Sequence, residues 1–199
     1  MGSQSPVARF TGTWLFWTAA ANTAEPAIDD AILTGWTAIA RTDGDQTLRW
    51  TGNLVGGSDN SHNAMVIHLR PDQGFEVVLN MIHLTLAQMA RGLGIDPAQV
   101  IETTSGGENV RVLPIERDYI PQRFALLGRG GALPVTNVMS TEAASKPAQL
   151  WIPQGVFDSA PEITFNKPNT GVTLNTTFKA EFDETQAVGA SMGRILMAY

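Results

Sequence analysis

The chain lacks cysteine altogether and is short of charged residues. None of its 199 residues is cysteine, so disulfides, thiolate nucleophiles, zinc–cysteine sites and iron–sulfur clusters are excluded. Charged residues make up 16% of the sequence, against roughly 25% in an ordinary soluble domain. So low a share of charge favours a protein that covers part of its surface by assembling.

Basic residues and long apolar runs are scarce as well. The 13 Lys and Arg residues face 19 Asp and Glu residues, which gives a net charge of −6. This balance argues against a protein that grips the phosphates of DNA or RNA. The sequence shows no apolar run long enough for a membrane span and no signal-peptide pattern at its start, so we expect neither.

What the chain does contain is the pattern of one β-rich domain over residues 1–199. Its 19 glycines and 11 prolines punctuate many short apolar runs along the whole length. Between Val172 and Phe182 apolar and polar residues alternate, which predicts a long strand with one buried and one wet face. Helical spacing of apolar residues predicts one main helix at 85–93, with Thr85 as N-cap and Gly94 past its end.

The remaining elements are predicted from shorter patterns. We expect strand 110–115 to pair with strand 122–127, Gly128–Gly131 to form a turn, and residues 52–63 to form a mobile polar loop. Residues 1–8 are expected to form a loose N-terminal arm. The other predicted strands are 10–18, 36–41, 46–51, 64–69, 74–81, 149–152, 156–158, 162–165 and 194–197, with helical turns at 28–33 and 97–101.

Motifs for catalysis or metal binding are weak. Residues 189–193 fit G-x-S-x-G around Ser191, but the six residues that follow contain no Asp, Glu or His, so we interpret the segment as a small-residue turn. His62, His68 and His83 have no partner at a metal-ligand spacing. We therefore predict a protein that is not an enzyme, with no catalytic residue, metal site or cofactor.

The five tryptophans offer a different hypothesis. Exposed tryptophans stack on sugars, so a β-sandwich carbohydrate-binding module remains an alternative. Core and subunit-interface positions are the favoured interpretation, because tryptophan is common in both.

The order of elements carries a resemblance to a known family. A block at 31–44 combines small residues, Trp36, a short strand and Asp43-Gly44. Later segments are Leu113–Ile115, Phe124–Leu127, Leu150–Pro153, Glu162–Phe165 and Thr177–Asp183. Over about residues 8–183 this order resembles the major tail tube proteins of long-tailed bacteriophages.

The resemblance implies an antiparallel β-sandwich or barrel flanked by one α-helix. It implies six copies in a ring, with their inner sheets joined around a channel and with rings stacked into a tail. The arm 1–8, the loop 52–63 and the tract 137–145 are the segments expected to become ordered when rings stack. DNA would pass through this lumen without specific binding. The implied partners are copies of the chain and other tail proteins, such as the tape measure, terminator, baseplate or sheath. The implied location is the virion, after synthesis in the cytoplasm of the bacterial host.

Candidate site residues follow from this resemblance. Lys179 and Glu181 are the candidates for facing a lumen, where acidic groups would repel DNA. The candidates for contacts between rings and subunits are Gly56, Gly57, Ser58, Asp59, Asn60, Asp43 and Asp45.

Besides the carbohydrate-binding module, the other alternative is a different tail or capsid-associated structural protein, used for tail completion or decoration.

Overall fold

The structure, a computed structural model, is mainly β with one α-helix, as the sequence predicts. The residues that it describes are 7–30, 34–39, 42, 46–51, 55–58, 65–69, 74–82, 84–115, 120–135, 146–157, 161–165, 172–186 and 191–197. The strands in these ranges are β1 (Val7–Ala20), β2 (Thr37–Ala38), β3 (Thr47–Thr51), β4 (Val55–Ser58), β5 (Met65–Leu69), β6 (Gly74–Ile82), β7 (Ile101–Ser105), β8 (Glu108–Val112), β9 (Arg123–Val135), β10 (Lys146–Phe157), β11 (Glu162–Phe165), β12 (Val172–Ala180) and β13 (Arg194–Met197). The helix α1 spans Leu86–Gly92, and a 3₁₀ turn spans Pro97–Gln99.

Nine of these strands form one antiparallel sheet. Its order is β2-β1-β9-β10-β12-β6-β3, with β11 also paired to β12 and β13 also paired to β10. The hairpins β4–β5 and β7–β8 lie outside this sheet. β10 and β12 each pair with three other strands, so they form the centre of the sheet.

The two halves of the sheet meet over a short overlap. β10 pairs with β12 only through Gly155–Phe157 and Phe178–Ala180, and the earlier part of the same β10 edge pairs with β13. Phe157 contacts Phe124 and Phe178 edge to face, at centroid distances of 5.9 and 5.1 Å. Side chains from both halves share one core, made of Phe16, Val77, Leu79, Met81, Phe124, Leu126, Leu150, Ile152, Phe157, Leu174 and Phe178.

The alternation predicted for the long strand is confirmed in β12. Leu174, Thr176 and Phe178 are buried, whereas Asn175 and Lys179 are exposed. The strand ends two residues earlier than predicted, because pairing with β6 stops at Lys179 and pairing with β10 stops at Ala180. Phe182 was predicted on the buried face, but it lies beyond this end and its side chain is 63% exposed.

The predicted helix is confirmed with slightly shorter bounds. Thr85 caps it through a capping box: the Gln88 N–H donates to Thr85 Oγ1 at 3.2 Å, and the Thr85 N–H donates to Gln88 Oε1 at 2.9 Å. Gly94 has a φ of +74°, which suits the residue that leads the chain away from a helix end. The end of α1 packs on β12, because the buried Thr176 hydroxyl donates to the Gly92 carbonyl at 3.0 Å.

The predicted turn at Gly128–Gly131 is wrong. These residues lie inside β9, opposite β1. A Cβ on Gly130 would lie 2.5 Å from Trp14 Nε1, and one on Gly128 would lie 2.8 Å from the Phe16 ring. The glycines leave room for two aromatic side chains of the neighbouring strand, which is a recognised use of glycine within strands.

Two predicted strand assignments also need correction. The strand predicted at 110–115 ends at Val112 as part of β8, which pairs not with 122–127 but with β7. β7 begins at Ile101, where a helical turn was expected to end. Segments 149–152 and 156–157 belong to one continuous strand, β10, and residue 158 lies outside the described residues. Its register shifts between Ile152 and Gly155. This irregularity accommodates Pro153, which has no N–H to donate.

The outcome for the predicted loops is mixed. Val55–Ser58, inside the loop expected at 52–63, forms β4 and pairs with β5. The prediction of a loop is therefore wrong for these four residues. Val7 and Ala8, expected in the arm, belong to β1. At 28–33 the described residues 28–30 form a turn, and at 36–41 the described strand is limited to Thr37–Ala38. The rest of the arm and the tract 137–145 lie outside the described residues.

The close packing where β10 and β12 overlap requires a glycine at position 155, and a substitution there tests this. A Cβ at this position would lie 2.3 Å from the Lys179 carbonyl oxygen and 2.6 Å from the Phe178 ring. Overpacking of this kind lowers stability by about 1–3 kcal/mol, so we expect Gly155→Ala to lower the free energy of unfolding by that amount in urea denaturation.

The matched control is Gly106→Asn. Gly106 has a φ of +61° and open space around its Cα, and asparagine tolerates this backbone region. We expect a change within about 0.5 kcal/mol, as for ordinary surface substitutions. Equal losses in the two variants would contradict the role given to Gly155.

Candidate assembly surfaces

The outer faces of β11, β12, β6 and β3 form one continuous surface, here called the polar sheet face. Its side chains are polar apart from Val78 and Ile82, and of its twelve members five are exposed and seven are partly buried. The Asn80 Oδ1 atom on this face is buried and makes no hydrogen bond within the described residues. The face is therefore partly accessible to solvent, opposite the side that packs into the core. Its members are Glu162, Thr164, Thr173, Asn175, Thr177, Lys179, Glu76, Val78, Asn80, Ile82, Thr47 and Arg49.

The charges on the polar sheet face balance one another. Arg49, Glu76 and Lys179 are register neighbours across three strands, so the carboxylate stands between two cations. Opposite charges on facing strands stabilise a sheet by roughly 0.2–1 kcal/mol per pair. Together with Glu162, the described face has two acidic and two basic residues, so it is balanced rather than acidic.

The two residues predicted to face a lumen have different surroundings. Lys179 is exposed on the polar sheet face, as the alternation predicts. Glu181 follows the end of β12, and its carboxylate accepts a hydrogen bond from Arg123 Nε at 2.6 Å. The charge of Glu181 is thus paired at the edge of the face. That either residue lines a channel stays a prediction.

The residues predicted to make contacts between rings are only partly described. Gly56, Gly57 and Ser58 lie on β4, in the hairpin with β5. Asp59, Asn60, Asp43 and Asp45 lie outside the described residues, so the structure gives no juxtaposition for this set.

The hairpin β7–β8 is an exposed surface that the sequence reasoning missed. Of its ten strand residues, Val110 alone is partly buried and the others are exposed. The turn is Gly106-Gly107, with φ values of +61° and +89°. Positive φ at both central residues is what a tight type I′ hairpin requires, so the Gly-Gly pair was the signal that could have found it.

The two faces of this hairpin differ in chemistry. Register places Ile101 opposite Val112, and Thr103 opposite Val110, on one side, here called the apolar hairpin face. Ser105 lies opposite Glu108 on the same side, at the turn end of the hairpin. The other side bears an ion pair in which Arg111 Nη2 lies 2.8 Å from Glu102 Oε1. Both members of the pair are about two-thirds exposed, so the pair contributes little to stability.

The half of the sheet around β9 and β10 is covered by the chain that follows β1. The buried Gln149 amide donates to Glu25 Oε1 at 3.0 Å and to the Pro26 carbonyl at 2.8 Å. Its Oε1 accepts from Arg129 Nε at 2.8 Å, and Arg194 pairs with the other oxygen of Glu25. These bonds hold residues 22–30 against the sheet and satisfy a polar side chain that is fully buried.

Tryptophan side chains also pack on this half of the sheet. Trp151 is 5% exposed and packs with Leu127, Trp17 and Trp36 in a second apolar cluster. Trp14 packs against the main core. The interpretation of tryptophans as packing residues is confirmed for these four. The side chain of Trp50 is not among those that the structure describes.

The G-x-S-x-G segment is described from Ser191 onward, and there it forms a bend. The Ser191 carbonyl accepts from the Asp183 N–H at 2.9 Å. Gly193 has a φ of +126°, and a Cβ there would lie 2.6 Å from the Trp151 carbonyl oxygen. The bend at Ser191 and Met192 agrees with the interpretation as a turn, while residues 189 and 190 lie outside the described residues.

Asp183 is a buried carboxylate that closes the turn after β12. It accepts from the Thr185 hydroxyl at 2.7 Å, the Thr185 N–H at 2.9 Å and Gln186 Nε2 at 3.0 Å. Because these bonds favour the charged form, they hold the pKa of Asp183 below its usual value. The carboxylate is therefore committed to its own turn, a common arrangement for Asp.

Other kinds of site find little support in the described part of the chain. No group of three His, Asp or Glu side chains among those described is placed to hold a metal ion, and His62 and His83 lie outside it, as does the side chain of His68. Of the helices described, none is long and apolar enough to cross a membrane.

Comparison with known proteins gives no family: neither the family models nor the curated proteins contain a match to this chain.

The hydrogen bonds of Asp183 predict an acid-dependent loss of stability. Because its pKa is lower in the folded state, Asp183 contributes stability that is fully present above the unfolded value of about 3.9. This stability disappears as the pH falls through the folded pKa. We expect Asp183→Asn to lower the melting temperature at neutral pH and to lose less stability than the unchanged protein on acidification.

Melting curves between neutral and acidic pH test this expectation. The control is Glu184→Gln, at an exposed neighbouring position, which should follow the unchanged protein throughout. Parallel curves for Asp183→Asn and the unchanged protein would show that the carboxylate contributes nothing pH-dependent.

Proposed function

We propose that this protein is a structural subunit of a bacteriophage tail and assembles with its own copies into stacked rings that form the tail tube. The observation that carries the proposal is the polar sheet face. It is a broad antiparallel surface of polar residues, exposed or partly exposed on one half of the sheet, whereas the other half is partly covered by residues 22–30 and the tryptophan cluster.

The chemistry of the polar sheet face suits the wall of a DNA channel. Duplex DNA carries one negative charge per roughly 1.7 Å of axis, and proteins hold it with unpaired Lys and Arg. Here Glu76 stands beside both Arg49 and Lys179, and the remaining polar members of the face other than Glu162 are threonines and asparagines. Such a wall is hydrated and has no surplus of positive charge, so DNA passes along it without being bound.

The edges of the sheet supply the means of joining copies. Within the described residues, β3 pairs only with β6, β11 only with β12, and β13 only with β10. A free strand edge is a template for pairing with another chain. A head-to-tail contact that closes on itself makes a ring and leaves no edge open.

The resemblance in the order of elements supplies the finer details of the proposal. It suggests six copies per ring, stacked rings, and contacts with other tail proteins at the ends of the tube. In this account the protein belongs to the virion and has no catalytic role.

Sedimentation velocity over a wide concentration range, combined with negative-stain electron microscopy, tests the proposal. We expect uniform rings or tubes with a hollow centre, and no shift of duplex DNA in a gel at physiological salt. A protein that stays monomeric at every concentration would overturn the proposal. Closed particles without a hollow would favour a tail-completion or decoration protein.

A further inference from the structure

We propose that the apolar hairpin face of one copy docks into an apolar cleft on the next copy, between the two halves of the sheet. This inference rests on the proposed self-assembly and names the surfaces that carry it.

The hairpin shows the first half of the contact. Ile101 is 56% exposed and Val112 is 43% exposed, and the two lie opposite each other. In the segment that follows, Ile115 is 82% exposed and Ile120 is 90% exposed. The cross-strand pair Ile101 and Val112 forms contiguous exposed apolar surface, which is the kind of surface that marks an interaction site. A two-stranded hairpin is at best marginally stable alone, so burial of this face stabilises it.

The charges of the hairpin favour a protein as the occupant. Arg111 is its only basic residue and is paired with Glu102. Glu108 adds a further negative charge. The hairpin therefore presents no cationic surface to nucleic acid or to an anionic membrane. What it offers is a ridge of β-branched side chains, which fits an apolar groove.

The same chain contains such a groove. A cleft of about 140 Å³ opens where the two halves of the sheet face each other. Leu48 lines this cleft and is 42% exposed, although Val77, its register neighbour on β6, is fully buried. The residues that line the cleft are Trp14, Phe16, Gln46, Thr47, Leu48, Val77 and Leu150.

Size and symmetry fit a second copy as the occupant. An apolar cavity of about 150 Å³ accepts benzene, with six carbons, so this cleft has room for the four-carbon side chain of isoleucine. The ridge and the cleft are different sites on one chain, and a contact between them is head-to-tail. Repetition of such a contact closes a ring or extends a stack.

The absence of cysteine makes a direct test possible. Ile101→Cys and Leu48→Cys are prepared as separate variants, mixed in equal amounts under assembling conditions and treated with a short bismaleimide linker. We expect covalent dimers in the mixture and few in either variant alone. Asn109→Cys, on the opposite hairpin face, replaces Ile101→Cys as the control and should cross-link poorly to Leu48→Cys. Equal yields for the two hairpin positions, or no cross-link to Leu48→Cys, would overturn the proposal.

A second measurement separates this inference from the proposed function. The double variant Ile101→Thr with Val112→Thr keeps residues that favour strands but removes the apolar ridge. We expect its assembly, measured by sedimentation velocity, to require at least about tenfold more protein, which corresponds to roughly 1.4 kcal/mol, whereas Asn109→Thr assembles normally. Failure of the unchanged protein to assemble would refute the proposed function. Equal assembly of the unchanged protein and the double variant would refute this contact alone.

Discussion

β10 and β12 overlap over three residue pairs, and this overlap decides how the molecule presents its surfaces. The missing side chain of Gly155 lets the Lys179 carbonyl approach, while Phe157 and Phe178 meet edge to face below it. Because this contact is so short, the rest of the same edge of β10 pairs with β13, and the rest of the same edge of β12 pairs with β11. The two halves of the sheet thereby enclose one core, since each half turns an apolar face toward the other.

The same geometry makes the two outer surfaces unequal. Around β9 and β10 the outer surface is partly covered by the Gln149 network and by the cluster around Trp151, although Leu15 on the same face is 56% exposed. Around β12 and β6 it is polar and partly exposed, with cations and carboxylates side by side in register. A molecule with one partly covered surface, one polar surface and free strand edges is suited to forming a wall. This asymmetry connects the packing of the core to the proposed tube.

The sequence predicted those features of the fold that depend on near neighbours. The alternation in β12 and the capping box at Thr85 are local patterns, and both appear in the structure. Features set by distant residues were missed. Gly130 was interpreted as part of a turn, because nothing near it in sequence indicates that Trp14 lies across it. Gln149 is fully buried only because Glu25 and Arg129, far along the chain, satisfy its amide.

The candidate surfaces were predictable to a similar degree. The outward position of Lys179 follows from alternation, whereas the pairing of Glu181 with Arg123 depends on how β9 and the end of β12 come together. The hairpin β7–β8 was missed although Gly106-Gly107 is a strong turn signal, because a helical turn was extended to Ile101. Its exposed Ile101 and Val112 become significant only when the fold shows that no core covers them.

Chemical labelling of Lys179→Cys tests most directly whether the polar sheet face lines a channel. The variant introduces the only thiol into a chain without cysteine, so a small maleimide and a maleimide attached to a large folded protein report its accessibility without interference. The account predicts that both reagents react with dissociated subunits, and that only the small reagent reacts inside assembled tubes. Undiminished reaction of the bulky reagent with assembled tubes would contradict the account, because the face would then point outward.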